Sequence, residues 1–183
     1  MGIEFPYFDE KQYFQFPSVE NATPEGIVAV GGNLSPGMLL SAYRQGIFPW
    51  PTPGEPLLWW SPDPRFILFP ENLHISKSMR KTLKTGRYRV SFDHSFDRVI
   101  DACRKQKRRG QYGTWITEVM ASSYKKLHRL GYAHSVEVWR DEKLTGGLYG
   151  VSLGSCFFGE SMFTYEANCS KIALITLTRT LER

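Results

Sequence analysis

The sequence predicts an α/β (α+β) protein in two parts, and three observations carry that expectation. Stretches with apolar residues at helical spacing alternate with stretches of period two, the signatures of helix and strand respectively. Residues 1–66 are crowded with prolines and aromatics, whereas regular periodicity dominates from residue 67 onward, which divides the chain into a small N-terminal domain (1–66) and a larger second domain (67–183). With 183 residues, 42% of them hydrophobic and 22% charged, the chain has a globular composition. A chain of this length buries about 70% of its extended surface without a disulfide or metal staple.

The elements follow in order. Phe5-Pro6, Phe16-Pro17, Phe48-Pro49-Trp50-Pro51, Pro53, Pro56, Pro62 and Pro64 remove backbone donors and bias the preceding residues away from helix, so the first 66 residues read as turns and short extended pieces. The exception lies between Pro36 and Gly46, where Ser35-Pro36 supplies a cap and a first-turn proline, and Met38, Leu39, Ala42 and Tyr43 recur at helical spacing. Phe66 to Phe69 reads as a β-like run closed by Pro70. His74 or Ser76 opens a basic helix around 78–84, and Arg87 to Phe92 alternates as a strand. Helical spacing returns at Phe96, Val99, Ile100 and Cys103, breaks in a loop over 105–113, and resumes after the cap residue Thr117 with Val119, Tyr124, Leu127 and Leu130 until Gly131. Three strands are expected over 134–139, 144–151 and 155–163, joined by a charged turn at 140–143 and a Leu153-Gly154 turn. A final helix, capped by Asn168 or Ser170, carries Ile172, Leu174, Ile175 and Leu177 to the end of the chain.

No apolar run approaches the roughly 20 residues that span a bilayer, so no membrane association is expected. The amino terminus carries acids and aromatics where a secretory signal has a basic start and an apolar core, which points to the cytoplasm. Cys103, Cys156 and Cys169 form no CxxC pair, and the four histidines lack ligand spacing, so neither a disulfide framework nor a metal site is expected. The sequence has no GxxxxGK[ST], no GxGxxG after a strand, no HExxH and no GxSxG, which removes support for nucleotide hydrolysis, dinucleotide cofactors, zinc proteolysis and serine-hydrolase chemistry.

The net charge of +5 is localised. Between residues 77 and 109 lie Lys77, Arg80, Lys81, Lys84, Arg87, Arg89, Arg98, Arg104, Lys105, Lys107, Arg108 and Arg109 against Asp93, Asp97 and Asp101, and the remainder of the chain is mildly acidic. Such a segment suits a phosphate-bearing partner, whose counterions are released on binding; its alternative is a solvated helix face with a charged loop. Trp50, Trp59, Trp60 and Trp115 lie beside Pro or Gly in turn-rich sequence, where indoles can stack on unpaired bases; core packing is the alternative for Trp59 and Trp60. Glu160 stands among Phe157, Phe158, Met162 and Phe163 on a strand that reads as buried. A carboxylate in apolar surroundings must be paired or used, and one beside an apolar pocket suits a ligand with an amine next to an apolar side chain; a surface Glu on an edge strand is the alternative. Gly146, Gly147 and Gly150 inside a strand pattern suggest close approach of backbone or ligand.

The strings VAVGGNLSPGMLLSAYRQGIFPW (28–50), LLWWSPDPRFIL (57–68), LHISKSMRK (73–81), GTWIT (113–117), AHSVEVWRDEKLTGGLYGV (133–151) and FFGESMF (157–163) resemble the leucyl/phenylalanyl-tRNA–protein transferases over nearly all of residues 20–177. The resemblance implies a small N-terminal α/β domain followed by one like the acyl-CoA N-acyltransferases (GNAT-like). It implies a cytoplasmic, monomeric enzyme that needs no cofactor or metal and moves Leu, Phe or Met from aminoacyl-tRNA to the N-terminal Arg or Lys of an acceptor protein, marking it for degradation. By motif, Trp50 and Trp115 would stack on the 3′-terminal adenosine, and Glu160 would contact the amino group of the aminoacyl moiety. Leu148, Phe157, Met162, Phe163, Leu174 and Leu177 would line its side-chain pocket, and Arg80, Lys81, Lys84 and Arg87 would hold the tRNA body. Family members continue past the last helix into a strand with an Asp-x-Gln motif that assists amine deprotonation, whereas this sequence stops at Arg183, so impaired activity is expected of the chain as written. The other two readings are a tRNA-binding module without chemistry and, least supported, an acyl-CoA-dependent N-acyltransferase.

Overall fold

A computed structural model describes residues 5–52, 54–106 and 115–182. The chain divides into two compact units, one of residues 1–66 and 113–127, the other of residues 67–112 and 128–183. Residues 115–127, which a single division at residue 66 leaves in the second domain, therefore pack within the first unit.

In the first unit, strands β1 (Ile27–Val30), β2 (Phe48–Trp50) and β3 (Leu58–Trp60) form an antiparallel sheet in the order β1-β3-β2. Helix α1 (Pro36–Arg44) starts at its proline as the sequence predicts and buries every residue up to Tyr43. Its cap differs in chemistry. The Ser35 hydroxyl accepts the backbone N–H of Phe8 at 3.1 Å and makes no side-chain bond to the helix. Ser41 likewise accepts the N–H of Phe14, and the Gln45 amide both accepts from the Phe16 N–H and donates to the Phe14 carbonyl. These polar groups pin the extended N-terminal segment to the helix, satisfying backbone that has no sheet partner. The aromatics of that segment then stack edge to face: Phe5 on Phe14, Phe8 on Phe14, Phe14 on Phe16, with Phe16 against Trp59 at 4.8 Å. Each such contact adds about 0.5–1.5 kcal/mol beyond area burial. Trp59 takes the core alternative: it is 1% exposed and its indole N–H donates to the Gly31 carbonyl at 2.8 Å.

The second unit is built on a four-stranded antiparallel sheet of β4 (Arg89–Phe92), β5 (Ala133–Arg140), β6 (Lys143–Leu153) and β7 (Cys156–Thr164), ordered β4-β5-β6-β7. The predicted charged turn is a two-residue hairpin in which Asp141 and Glu142 both adopt positive φ, which sets the Arg140–Lys143 register. Side chains of β6 alternate between two covered faces. Leu148, with Val136 and Val138 of β5, packs against helices α2 (Lys77–Lys84) and α5 (Cys169–Leu181) through Met79, Ile172 and Leu177. The opposite face carries Tyr149 against Phe96 of helix α3 (Phe96–Lys105). Ser76 caps α2 by accepting the Met79 N–H; in the first unit, Thr117 caps α4 (Glu118–Arg129) by accepting the Met120 N–H. Asn168 stands at the cap position of α5 with φ 73° and no side-chain bond to the helix.

The class is α+β, as the alternation of periods predicts. One element differs. Phe66 to Phe69 forms no strand; its four side chains are exposed, Phe66 to 93%. Apolar composition gave the β-like pattern, but no neighbouring strand offers this segment a ladder, and prolines at 64 and 70 close it on both sides. The expected loop over 105–113 lies almost wholly outside the described residues, and its residue Lys105 ends α3. Among the described residues no helix is long and apolar enough to cross a membrane.

Candidate functional site

Trp50 ends β2, where it pairs in register with Leu58, and Trp115 lies just before α4. Both belong to the first unit, and their rings lie face to face, centroids 4.7 Å apart and planes inclined by 12°. Trp50 is 39% exposed. The Trp115 indole nitrogen is buried without a hydrogen-bond partner among the described residues. The pair thus presents an aromatic surface through the exposed part of Trp50, while the unpartnered Trp115 indole N–H is closed to solvent. Gly113 and Thr114 of the same motif lie outside the described residues.

Glu160 occupies a special place on β7. The register runs Val151 opposite Phe158 and Gly150 opposite Gly159, then jumps to Tyr149 opposite Ser161. One step on β6 is matched by two on β7, so Glu160 is the extra residue of a β-bulge. A bulge interrupts the ladder, bends the strand and re-aims a side chain. Glu160 is half-buried, between the exposed Gly159 and the buried Ser161, and it is engaged in an interaction within the chain.

The six apolar pocket candidates divide between the two sheet faces. Leu148 and Leu177 are buried in the cluster beneath α5, and Phe157 and Leu174 pack against it half-buried. Met162 is opposite Leu148 in register and 42% exposed, at the open edge of the sheet. Phe163 is the exception. It pairs with Gly147 on the α3 face, beside Val99, and its ring meets Tyr165 at 5.0 Å. The thickness of the sheet separates it from Leu148 and Phe157, because a period of two sends Met162 and Phe163 to opposite sides. The strand pattern places residues 157–163 correctly but cannot reveal a bulge that shifts phase within the run.

Arg80, Lys81 and Lys84 project from α2, with the Arg80 Nε donating to the Ile75 carbonyl at 3.0 Å, and Arg87 follows the helix across Gly86. Two other cations of the basic segment lie elsewhere: Arg89 and Arg98 flank the Trp139 ring, both guanidinium carbons within 5.3 Å of its centroid. Lys107, Arg108 and Arg109 lie outside the described residues.

Two features escaped sequence reasoning. A cleft of about 580 Å³ is lined by Thr82, Thr85, Arg87, Tyr88, Arg140 and Glu166 with the residues entering α5. Within it Glu166 binds Arg140 at 2.7 Å and accepts the Tyr88 hydroxyl at 3.2 Å. Burial, then the nearby Cys169 and Glu166, push the Tyr88 phenol above its ordinary value. The other feature is Glu137, fully buried on β5, which accepts Ser91 and Ser135 hydroxyls at 2.5 Å each and the N–H groups of His94 and Ser95. It caps α3 from a different element, which accounts for its burial structurally. The signal for it was a carboxylate at the centre of an alternating strand. Among the described residues no cluster of three or more His, Cys, Asp or Glu has the geometry of a metal site.

Two family models match in succession: the leucyl/phenylalanyl-tRNA protein transferase N-terminal domain over residues 32–63 and leucyl/phenylalanyl-tRNA protein transferase over residues 67–183. A leucyl/phenylalanyl-tRNA–protein transferase of Syntrophus aciditrophicus (strain SB) is 60% identical over 167 residues, covering 91% of this chain and 70% of the relative. One of Cellvibrio japonicus (strain Ueda107) is 56% identical, covering 92% and 72% respectively. A third, of Myxococcus xanthus (strain DK1622), is 55% identical over 88% of this chain and 69% of the relative.

Proposed function

The chain belongs to the leucyl/phenylalanyl-tRNA–protein transferase family, and from that premise we propose that it moves Leu, Phe or Met from aminoacyl-tRNA to the N-terminal Arg or Lys of an acceptor protein. The observation that carries this reading is the bulge at Glu160: a half-buried carboxylate lifted out of strand register on the strand that also carries Phe157, which packs against the apolar cluster, and the exposed Met162. An α-ammonium next to an apolar side chain is the chemistry such a pair recognises.

The bond being broken is already activated. The acceptor's free α-amine attacks the carbonyl carbon of the aminoacyl ester, the ester oxygen leaves with the ribose of the tRNA, and the proton lost by the amine is returned to that oxygen. The protein's contribution is to hold ester and amine in line and to favour the charge that develops. Trp50 and Trp115 stack on the terminal adenosine and fix the ester, and Glu160 holds the ammonium of the aminoacyl group. Leu148, Phe157, Leu174 and Leu177 receive the side chain, with Met162 at the rim; Phe163 supports the sheet from behind. Arg80, Lys81, Lys84 and Arg87 neutralise phosphates of the tRNA body. The enzyme acts as a monomer in the cytoplasm, where charged tRNA is found.

The test is transfer of labelled Leu or Phe from charged tRNA to an Arg-initiated peptide, using the protein expressed as its gene encodes it. Transfer that falls at least tenfold in Glu160→Gln supports the reading. Salt-sensitive tRNA binding without transfer would instead mark a binding module.

A further inference from the structure

Gly150 lies buried on β6, directly opposite Gly159, at the step where the register breaks. Its backbone does not demand glycine. Gly131 and Gly154 of the same unit adopt positive φ, at 81° and 56°, whereas Gly150 does not. What it supplies is space. A Cβ at this position meets the carbonyl oxygen of Phe158 and the Phe157 ring, whose Cε1 and Cζ would lie at 2.5 and 2.7 Å. Those two residues lead into the bulge that carries Glu160, and Phe157 is the half-buried aromatic at the margin of the Leu148 cluster. The contrast with Gly146 is informative. A Cβ there runs into Cys169 of α5, a matter of helix packing, whereas at Gly150 both obstacles belong to the candidate site.

We infer that Gly150 is a specificity-determining position, because its missing side chain sets how deeply the Phe157 ring lies and so how large an aminoacyl side chain the pocket accepts. This rests on the reading of the apolar cluster as the aminoacyl pocket. With glycine the ring settles onto the β6 backbone and leaves the pocket deep. Any side chain lifts the ring into the space that the substrate needs. The Phe158 carbonyl, being backbone, cannot swing aside as a ring does, so the same change also presses on the bulge. A phenyl substrate, needing the full depth, suffers more than the smaller leucyl one.

The experiment compares kcat/KM for Phe-tRNA and Leu-tRNA in the protein as its gene encodes it, in Gly150→Ala, in Phe157→Leu and in the double variant. Gly150→Ala is expected to lower the Phe-to-Leu ratio at least fivefold, Phe157→Leu to raise it, and the double variant to return it toward the starting ratio. A ratio unchanged in Gly150→Ala, with both substrates falling together, would overturn the inference and leave Gly150 a packing position. If Gly150→Ala fails to fold by circular dichroism, Phe157→Leu decides alone, an unchanged ratio again overturning it. Absence of transfer from either tRNA in the unsubstituted protein would instead bring down the proposed function on which the inference depends.

Discussion

At the residue scale, the Trp50–Trp115 pair shows how a sequence signal and a structural fact differ. Prolines and glycines around these indoles pointed to exposure, and Trp50 is exposed, but that the two rings pair with each other over 65 positions is a product of the fold of the first unit. The same local cue failed for Trp59, buried because its ring closes a ladder of phenylalanines that no short-range pattern encodes. Base stacking on an aromatic side chain is worth about 1–3 kcal/mol. Trp115→Ala is therefore expected to weaken binding of charged tRNA by about one to two orders of magnitude with the salt dependence unchanged, as read by filter binding at two or more salt concentrations. Unaltered affinity would place the adenosine elsewhere. Glu160 was legible as an anomaly, a carboxylate among aromatics, whereas its bulge was not, because the two-for-one register exists only once β6 is alongside.

At the scale of elements, α2 carries Lys77, Arg80, Lys81 and Lys84 on a short helix whose one fully buried side chain is Met79, so its exposed surface is available to a polyanion. Neutralising Arg80, Lys81, Lys84 and Arg87 to Gln is expected to flatten the plot of log affinity for tRNA against log salt by roughly 0.7–0.9 for each phosphate left without its cation. The same substitutions of Arg89 and Arg98, which lie against Trp139, serve as the comparison and are expected to change the slope less. The entry to α5 carries a second prediction. Tyr88 is held above the ordinary phenol range first by burial and then by Cys169 and Glu166, so the fold favours its neutral form. Its contribution is complete below the unfolded value near 10 and is lost as pH rises through the higher folded value. Denaturant titrations between pH 8 and 11 should show stability falling more steeply above about pH 10 in the parent than in Tyr88→Phe; equal slopes would contradict this. None of the cleft was readable from sequence, since Tyr88, Arg140 and Glu166 come from separate segments and converge only through sheet pairing.

At the scale of the whole molecule, periodicity was the dependable guide. The helices and strands of the second unit begin close to where alternation or helical spacing begins, because each buries one face against the four-stranded sheet. The run at 66–69 shows where the same reasoning stops: apolar composition predicts a strand only when a partner strand is available. Placement of residues 115–127 with the first unit was likewise invisible, since membership of a unit is decided by packing between residues distant in sequence. Charge tells a similar story. The segment that gives the protein its net +5 is contiguous in sequence, but among the described residues its cations are shared between α2, the surroundings of Trp139 and the last turn of α3.

The central claim is that the bulged carboxylate Glu160 recognises the α-ammonium of the aminoacyl group. Its most direct test is a cycle pairing a protein change with a substrate change: kcat/KM for transfer to an Arg-initiated peptide, measured with Leu-tRNA and N-acetyl-Leu-tRNA, in the parent protein and in Glu160→Gln. Either change alone is expected to reduce transfer at least tenfold, and both together to cost little more than one, because each removes half of the same ion pair. Losses that multiply would show that Glu160 and the ammonium act independently and would contradict the assignment.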